Sequence, residues 1–292
     1  MTSAVLPRAT FASVSRDYLE LSKSRIVLMV LITTAAGYFI GTPHFSALTF
    51  INLLIGTALV AAGTNALNQY IEREQDAKMN RTRRRPLPGG RIAPRAALLF
   101  ATGIAIAGTA YLAATVNVLT ASLGALTLTS YIFIYTPLKR ISTLCTLIGA
   151  VPGAIPPLMG WTAATGALGT GGWILFGILF FWQLPHFMAI SWIYRDDYGR
   201  AGFEMISVRD ADGTATARQA IFYSLALLAV SVAPTFTHMN GIVYLIGAVV
   251  CGLALLATSI AFFFDRSNRT AKRLFMTSNI YLVVVMLLLV IA

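Results

Sequence analysis

The stretch Asn65-Ala-Leu-Asn68-Gln-Tyr-Ile-Glu72-Arg-Glu-Gln-Asp76 ends an apolar run that begins at Phe50, and it opens the most densely charged segment of the chain. Each residue of an α-helix turns by about 100°. Asn68, Glu72 and Asp76 are spaced four apart and therefore form one column on a helix, with Asn65 beside it. A column of oxygen acceptors followed by a basic segment predicts a site for a cation and a phosphorylated ligand.

The composition around this stretch is that of a membrane protein. Of the 292 residues, 57% are hydrophobic and only 11% are charged, whereas soluble domains carry about a quarter charged residues. The mean hydropathy is +0.73. The net charge of +11, from 22 Lys and Arg against 11 Asp and Glu, is explained by a membrane surface, so we exclude nucleic acid as a partner.

Nine apolar stretches are long enough to cross roughly 30 Å of hydrocarbon. The sequence therefore predicts an all-α, polytopic membrane protein with nine transmembrane helices around a central cavity. We expect a single transmembrane domain over residues 1–292, in which 1–20 form an N-terminal cytoplasmic tail. The predicted spans are 25–42, 49–70, 94–114, 117–136, 143–163, 171–194, 217–236, 241–264 and 272–291.

The charges lie on one side of this topology. Every Lys and Arg lies in the N-terminal tail, in the connections 71–93, 137–142, 195–216 and 265–273, or in the helix ends beside them. The alternate connections, 43–48, 115–116, 164–170 and 237–240, contain none. Positive charge collects on cytoplasmic loops, so the N-terminus is predicted inside and the C-terminus outside.

Helix-breaking residues interrupt the fifth and sixth predicted spans. Pro152, Pro156 and Pro157 lie in the fifth, and Pro185 lies in the sixth. Freed backbone groups in lipid need partners, so breakers are tolerated mainly inside a bundle or beside a cavity. We therefore expect two broken helices that border a central pocket.

The connection after the sixth span carries a second acidic cluster. Asp196 and Asp197 lie there between Arg195 and Arg200. Two acidic clusters around one cavity could clamp a diphosphate through two metal ions. Carboxylate and amide oxygens are ligands that suit Mg²⁺. We therefore predict one or two Mg²⁺ ions, with the ligands Asn68, Glu72, Asp76, Asp196 and Asp197.

Cationic side chains at the inner helix ends are candidates for contact with the phosphate groups. The guanidinium fork matches phosphate oxygens, although some of these charges serve only membrane topology. The candidates are Lys23, Arg25, Arg81, Arg85, Arg91, Lys139, Arg140, Arg195 and Arg200.

His186 follows Pro185 inside the sixth predicted span. A lone histidine in a span is commonly a hydrogen-bonded bundle residue, but an ionisable group within the membrane is also a functional candidate. A neutral imidazole can ligate iron or act as a base. We treat His186 as a candidate ligand for the iron of a macrocycle, or as a candidate base.

Taken together, these residues resemble the UbiA superfamily of intramembrane prenyltransferases and, within it, the protohaem IX farnesyltransferases. The superfamily motif N-x3-D/E-x3-D matches Asn68, Glu72 and Asp76, and the tyrosine–lysine motif matches Tyr135 and Lys139. Three longer runs resemble the haem subgroup. They are Arg81-Thr-Arg-Arg-Arg-Pro-Leu-Pro-Gly-Gly-Arg-Ile92, Gln183-Leu-Pro-His-Phe187 and Tyr194-Arg-Asp-Asp-Tyr-Gly-Arg-Ala-Gly202.

The resemblance implies nine helices around a lipid-open cavity in a bacterial inner membrane. It implies farnesyl diphosphate as donor and haem b as acceptor, with Mg²⁺ on the acidic motifs. The product would be haem O, which carries the farnesyl group and an added water and serves terminal oxidases. The catalytic set it implies is Asn68, Glu72, Asp76, Tyr135, Lys139, Asp196 and Asp197. The candidate protein partners that it implies are a downstream haem-modifying enzyme and an oxidase assembly.

The second motif departs from the superfamily pattern, because its outer acids fall on Tyr194 and Tyr198. Asp196 and Asp197 would have to take their role. Two alternatives remain at this point. One is prenyl transfer to an aromatic or quinone precursor. The other is a transporter with a midplane site, which the clustering of polar residues at one end disfavours.

Overall fold

The computed structural model describes residues 11–42 and 44–291, and this part of the chain contains helices and no strand. Residues 1–10 of the predicted tail lie outside it, and residues 11–21 form the first helix. The helices are α1 (Phe11–Leu21), α2 (Ser24–Gly41), α3 (Ala47–Ile71), α4 (Arg73–Lys78), α5 (Pro94–Thr115), α6 (Val118–Thr129), α7 (Thr136–Leu138), α8 (Cys145–Thr165), α9 (Thr170–Ile193), α10 (Arg195–Ala201), α11 (Ile206–Arg209), α12 (Thr214–Ser231), α13 (Ala233–Phe236), α14 (Ile242–Phe264) and α15 (Asn268–Ile291).

Nine helical segments in the described residues are long and apolar enough to span a membrane, which confirms the predicted all-α membrane fold. Each agrees with its predicted span to within a few residues. They are Ser24–Gly41, Ala47–Ile71, Pro94–Thr115, Val118–Leu138, Cys145–Thr165, Thr170–Ile193, Thr214–Phe236, Ile242–Phe264 and Asn268–Ile291. Hydropathy locates these spans because an apolar helix about 20 residues long matches the hydrocarbon thickness.

The spanning helices pack in a closed ring. Along the chain, α3 packs on α5, α6 on α8, α8 on α9, α12 on α14 and α14 on α15, and the ring closes where α15 meets α2 and α9. The two most buried spans are α8 and α9. This arrangement encloses a cavity between the early and late helices.

Two glycines allow the backbones of α2 and α8 to approach closely. A Cβ added at Gly160 would overlap the carbonyl oxygen of Thr34, and one added at Gly37 would overlap the carbonyl oxygen of Pro157. Small residues allow membrane helices to approach at backbone distance, where van der Waals packing holds them together. The two glycines therefore set the spacing of α2 and α8 on one side of the cavity.

We expect Gly160→Ala to destabilise the protein by about 1–3 kcal/mol, since the methyl group must displace backbone rather than a flexible side chain. Gly103→Ala is the matched control, because no atom lies within 4 Å of the added Cβ. It should be neutral or gain up to about 1 kcal/mol. Reversible unfolding in mixed micelles measures both variants, and equal stability of the two would contradict this account of the α2–α8 contact.

The prediction of two broken helices is wrong. α8 runs through Pro152, Pro156 and Pro157 without interruption, and α9 runs through Pro185. Proline removes one backbone hydrogen bond, but its fixed φ is close to the helical value, so a well-packed helix can continue through it. Irregular segments lie instead in two other spans. Ser130–Tyr135 form a π-helical turn at the end of the fourth span, and in the seventh span α12 ends at Ser231 before α13 begins at Ala233.

Candidate active site

The predicted acidic column is present and buried at the inner end of α3. The helix ends at Ile71 and α4 begins at Arg73, but the hydrogen-bond ladder continues across the junction. The Glu72 N–H donates to the Asn68 carbonyl at 2.9 Å, and the Asp76 N–H donates to the Glu72 carbonyl at 2.7 Å. The three side chains therefore stay in register, and all three are at most 5% exposed.

Each side chain of the column accepts a hydrogen bond from a cation on a different segment. Two of these cations flank spanning helices, and the third belongs to the basic loop of residues 79–93. The pairs are Lys23 Nζ with Asn68 Oδ1 at 2.9 Å, Lys139 Nζ with Glu72 Oε1 at 2.7 Å, and Arg85 NH1 with Asp76 Oδ2 at 2.8 Å. The site thus pairs three cations with two carboxylates and one amide oxygen.

The electrostatics of these cations favour an incoming anion. Burial lowers the pKa of Lys23 to about 7, and the positive charges of Arg85 and Lys139 act in the same direction. Burial also opposes the charge on Lys139, but the Glu72 carboxylate outweighs it and holds the pKa of that lysine above its usual range. Lys23, Arg85 and Lys139 lie near enough to repel one another. A phosphate group bound among them would add negative charge and so reduce this repulsion.

The π-helical turn faces this charged set. A π-helical turn of this kind frequently marks a functional site. Tyr131 and Tyr135 both line the cavity, with ring centroids 4.9 Å apart. Lys139 Nζ lies 4.5 Å from the centroid of the Tyr135 ring. The column is tied to the turn through Thr136, whose hydroxyl donates to the Tyr131 carbonyl at 2.8 Å and accepts from the Asn68 amide at 3.3 Å.

Sequence reasoning missed Tyr131. The available signal was its spacing, since it lies four residues before Tyr135 on the same predicted span. That spacing places both rings on one side of the helix.

The second acidic cluster, Asp196 and Asp197, makes different contacts from those of the column. The Asp197 carboxylate accepts the backbone N–H groups of Asn80 at 3.3 Å and Arg81 at 3.2 Å, and it pairs with Arg200. Asp197 therefore anchors the start of the basic loop. Asp196 points to the surface, where its side chain is 82% exposed and lies 3.8 Å from Arg195.

The remaining predicted phosphate-binding cations divide into two groups. Arg25 lines the cavity, and the uncharged Asn65, predicted to contact the substrate, lines it as well. The others contact protein groups around its inner rim. Arg81 stacks over Tyr194, Arg195 stacks over Trp192, Arg91 pairs with Asp17 and Glu20, and Arg140 donates to Gln75.

A cavity of about 700 Å³ lies in the bundle beside this charged set. Tyr135, which contacts Lys139, lines it, whereas the column side chains and their three cations do not. Its wall is mainly apolar and aromatic, with a few polar groups. Ligand pockets of roughly 300–1,000 Å³ commonly combine such walls with a few placed polar side chains. Ile26 and Met29 on α2 line the cavity and are also exposed on the outer surface of the bundle, so it is bordered by a lipid-facing helix.

His186 lies deeper in the same cavity, on α9. Its Nδ1 is 2.8 Å from Ser278 Oγ on α15. The ring stacks with Trp182 at a centroid distance of 5.0 Å and contacts Phe275 at 4.9 Å. Ser278 and Phe275 were also missed from sequence, because nothing in their local pattern distinguishes them from ordinary helix positions.

The donor set at the column fits Mg²⁺. In the described part of the chain, no cluster of three or more His, Cys, Asp or Glu side chains is close enough to form a complete protein-only metal site. The column instead offers two carboxylates and one amide oxygen. Mg²⁺ is usually bound by one or two carboxylates together with substrate phosphates and waters, so an incomplete oxygen site beside phosphate-seeking cations suits that ion.

Comparison with known proteins places this site in context. Residues 30–283 match the model of the UbiA prenyltransferase family. The chain is 46% identical over 277 residues to a protein of Solibacter usitatus named protoheme IX farnesyltransferase, covering 91% of this chain and 95% of that one. It is 41% identical over 270 residues to the human mitochondrial protein of that name, covering 92% of this chain and 60% of the human chain.

Solved structures share the architecture. A digeranylgeranylglyceryl phosphate synthase superposes with a TM-score of 0.80 at 18% identity, covering 95% of this chain and 97% of that one. A UbiA homologue from Archaeoglobus fulgidus, bound to GPP and Mg²⁺, superposes with a TM-score of 0.66 at 16% identity, covering 94% of this chain and all of that one. At these identities the similarity establishes the fold.

Proposed function

The chain belongs to the UbiA prenyltransferase family, and from this premise we propose that it transfers a farnesyl group from farnesyl diphosphate to a vinyl group of haem b. Water is added in the same reaction, and the product is haem O for terminal oxidases. The observation that carries the proposal is the buried oxygen column, matched by three cations, which Tyr135 connects to an apolar cavity of about 700 Å³. The named relatives support haem b as the acceptor.

The column and its cations would bind the diphosphate. Asn68, Glu72 and Asp76 would hold Mg²⁺, and the bound ion would supply a Lewis acid for the diphosphate oxygens. A second ion held by Asp196 and Asp197 stays a prediction. It requires Asp197 to release the backbone N–H groups that it now accepts.

Lys23, Arg85 and Lys139 would stabilise the leaving group. As the bond between the farnesyl C1 and the diphosphate oxygen breaks, its electron pair stays on the diphosphate. The three cations lie together beside the column, so once Mg²⁺ has taken the column oxygens, they can turn to the developing negative charge. Arg25, Asn65 and the remaining inner-rim cations are proposed as secondary contacts.

Tyr131 and Tyr135 would face the allylic cation. Their rings line the cavity directly beside the charged set, and an aromatic face attracts a cation. The π electrons of the haem vinyl group then form the new carbon–carbon bond. Water adds to the resulting cation and loses one proton, while the apolar wall protects the first cation from premature hydration.

We propose that the N-terminus faces the cytoplasm of a bacterium and the C-terminus faces outward. The one-sided distribution of all Lys and Arg supports this orientation. It places the diphosphate site on the cytoplasmic side, where a soluble or membrane-dissolved diphosphate can enter. A downstream haem-modifying enzyme or an oxidase assembly would receive the product.

The reaction is tested by expressing the chain in cells that lack their own activity and analysing their haems by mass. We expect a new haem heavier than haem b by farnesyl plus water. Incubation of the membranes with farnesyl diphosphate and either haem b or 4-hydroxybenzoate separates the alternatives. A prenylated hydroxybenzoate with unchanged haem would contradict the proposal, and so would haem uptake into proteoliposomes without a covalent product.

A further inference from the structure

His186 and Ser278 form a second polar site, on the two helices α9 and α15. His186 is 9% exposed and lines the cavity. Ser278 lies 92 residues further along the chain, and its hydroxyl is 2.8 Å from His186 Nδ1. The leaving-group chemistry at the column does not use either residue, so their role has to be found elsewhere.

The hydrogen bonds define the tautomer of the imidazole. A serine hydroxyl has one proton and two acceptor lone pairs. The Ser278 proton is donated to the Phe275 carbonyl at 2.7 Å. In this arrangement the Ser278 oxygen is free to accept from His186, which places the histidine proton on Nδ1. Nε2 carries the free lone pair.

The imidazole is also held in orientation. Trp182 stacks on one side at an interplanar angle of 29°, and Phe275 contacts the ring at 34°. The Trp182 ring is also held in position, because its indole N–H donates a hydrogen bond to the Ser278 carbonyl at 2.6 Å. Among the described residues, none donates a hydrogen bond to Nε2. A fixed basic nitrogen therefore remains available to a ligand in the cavity.

The surroundings select the chemistry of that ligand. A free metal ion would need several protein donors, and the described residues provide no cluster of His, Cys, Asp or Glu to supply them. An iron macrocycle brings four nitrogen donors of its own and needs only one axial ligand from the protein. Its flat apolar body also suits the aromatic wall formed by Trp182, Phe187 and Phe275.

We propose that His186 Nε2 is an axial ligand of the haem iron, and that Ser278 is a positioning residue that holds the Nδ1–H tautomer. This proposal rests on the proposed function, because it specifies how the acceptor is held. Metal-ligating histidines almost always donate their other ring N–H to an oxygen acceptor, which is the role the geometry assigns to Ser278. Iron ligation on α9 would hold the macrocycle in the cavity while its vinyl edge reaches toward the charged end.

The test is a titration of the purified full chain in nanodiscs with ferric haem b, followed by visible absorption and electron paramagnetic resonance. The wild type should show a histidine-ligated spectrum. His186→Ala should lose that signature and bind haem at least about tenfold more weakly, and added imidazole should restore the spectrum. Ser278→Ala should weaken binding by about 10–100-fold, as expected for loss of an outer-shell partner, and Ser278→Thr should recover it.

His44→Ala is the matched control, since this exposed histidine lies in the connection between α2 and α3, outside the cavity. It should leave haem binding unchanged. Binding of Mg²⁺ with inorganic pyrophosphate should be normal in His186→Ala, which shows that this variant is folded. An unaltered haem spectrum in His186→Ala would overturn the ligand proposal, and unaltered binding in Ser278→Ala would overturn the positioning role. Failure of the wild type to bind haem at all would instead count against the proposed function.

Discussion

Replacing Asp76 with asparagine is expected to reduce farnesyl transfer by roughly a thousandfold or more while the protein still inserts in the membrane. Asp76 is buried at the end of the column and holds Arg85 at 2.8 Å. The amide keeps the size of the side chain but removes the charge that would bind the metal. Several kcal/mol of transition-state stabilisation depend on such an ion, and about 4 kcal/mol corresponds to a thousandfold in rate.

Glu74→Gln is the control for this prediction. It removes one carboxylate from the same short helix, but Glu74 points away from the column and its side chain is 74% exposed. We expect a rate within about twofold of the wild type, as for a solvated surface charge. The measurement is the initial rate of haem O formation at saturating farnesyl diphosphate, over a range of Mg²⁺ concentrations. Near-wild-type turnover in Asp76→Asn would show that the column does not hold the catalytic metal ion.

Lys139→Met is expected to change metal binding and catalysis in opposite directions. Lys139 Nζ donates to Glu72 Oε1 at 2.7 Å, so Mg²⁺ competes with this lysine for the carboxylate. Removal of the lysine leaves a buried carboxylate without its cation, which a metal ion can satisfy. The affinity for Mg²⁺ alone should therefore rise by about tenfold, or 1.4 kcal/mol.

Farnesyl transfer by the same variant should fall by about 10²–10³-fold. The lysine that leaves Glu72 when the metal binds becomes available to the diphosphate, and loss of one such donor to a developing anion costs this much. Titration calorimetry with MgCl₂, with and without inorganic pyrophosphate, measures the first effect, and the transfer rate measures the second. Lys78→Met removes an exposed lysine from α4 and should alter neither. Unchanged Mg²⁺ affinity in Lys139→Met would show that the ion pair between Lys139 and Glu72 does not limit metal binding.

These two predictions share one physical basis. In the structure, the oxygens of the column are neutralised by the protein's own cations. Mg²⁺ and the diphosphate would separate these pairs, the ion taking the oxygens and the diphosphate taking the cations. Each ligand therefore removes part of the cost of binding the other, so their binding should be cooperative.

Several features of the fold and site were predictable from sequence because they depend on local periodicity or composition. Hydropathy located the nine spans of the described chain, and spacing by four placed Asn68, Glu72 and Asp76 in one column. The family resemblance, drawn from the motifs around these residues, is confirmed by the match over residues 30–283. The expectation of broken helices failed, because a proline signals a lost hydrogen bond but not whether packing keeps the helix intact.

By itself, the sequence determined the membrane fold, the acidic column and the one-sided charge. Only the tertiary structure decided which cation meets which oxygen, that Asp197 accepts the backbone N–H groups of the basic loop, and that Ser278 lies within hydrogen-bond distance of His186. The physical reason is the distance along the chain over which each kind of information acts. Periodicity and hydropathy act over one or two helical turns. Apart from the pair Arg85 and Asp76, which are nine positions apart, these contacts join residues 45 to 117 positions apart and exist only because the packed fold brings them within hydrogen-bond distance.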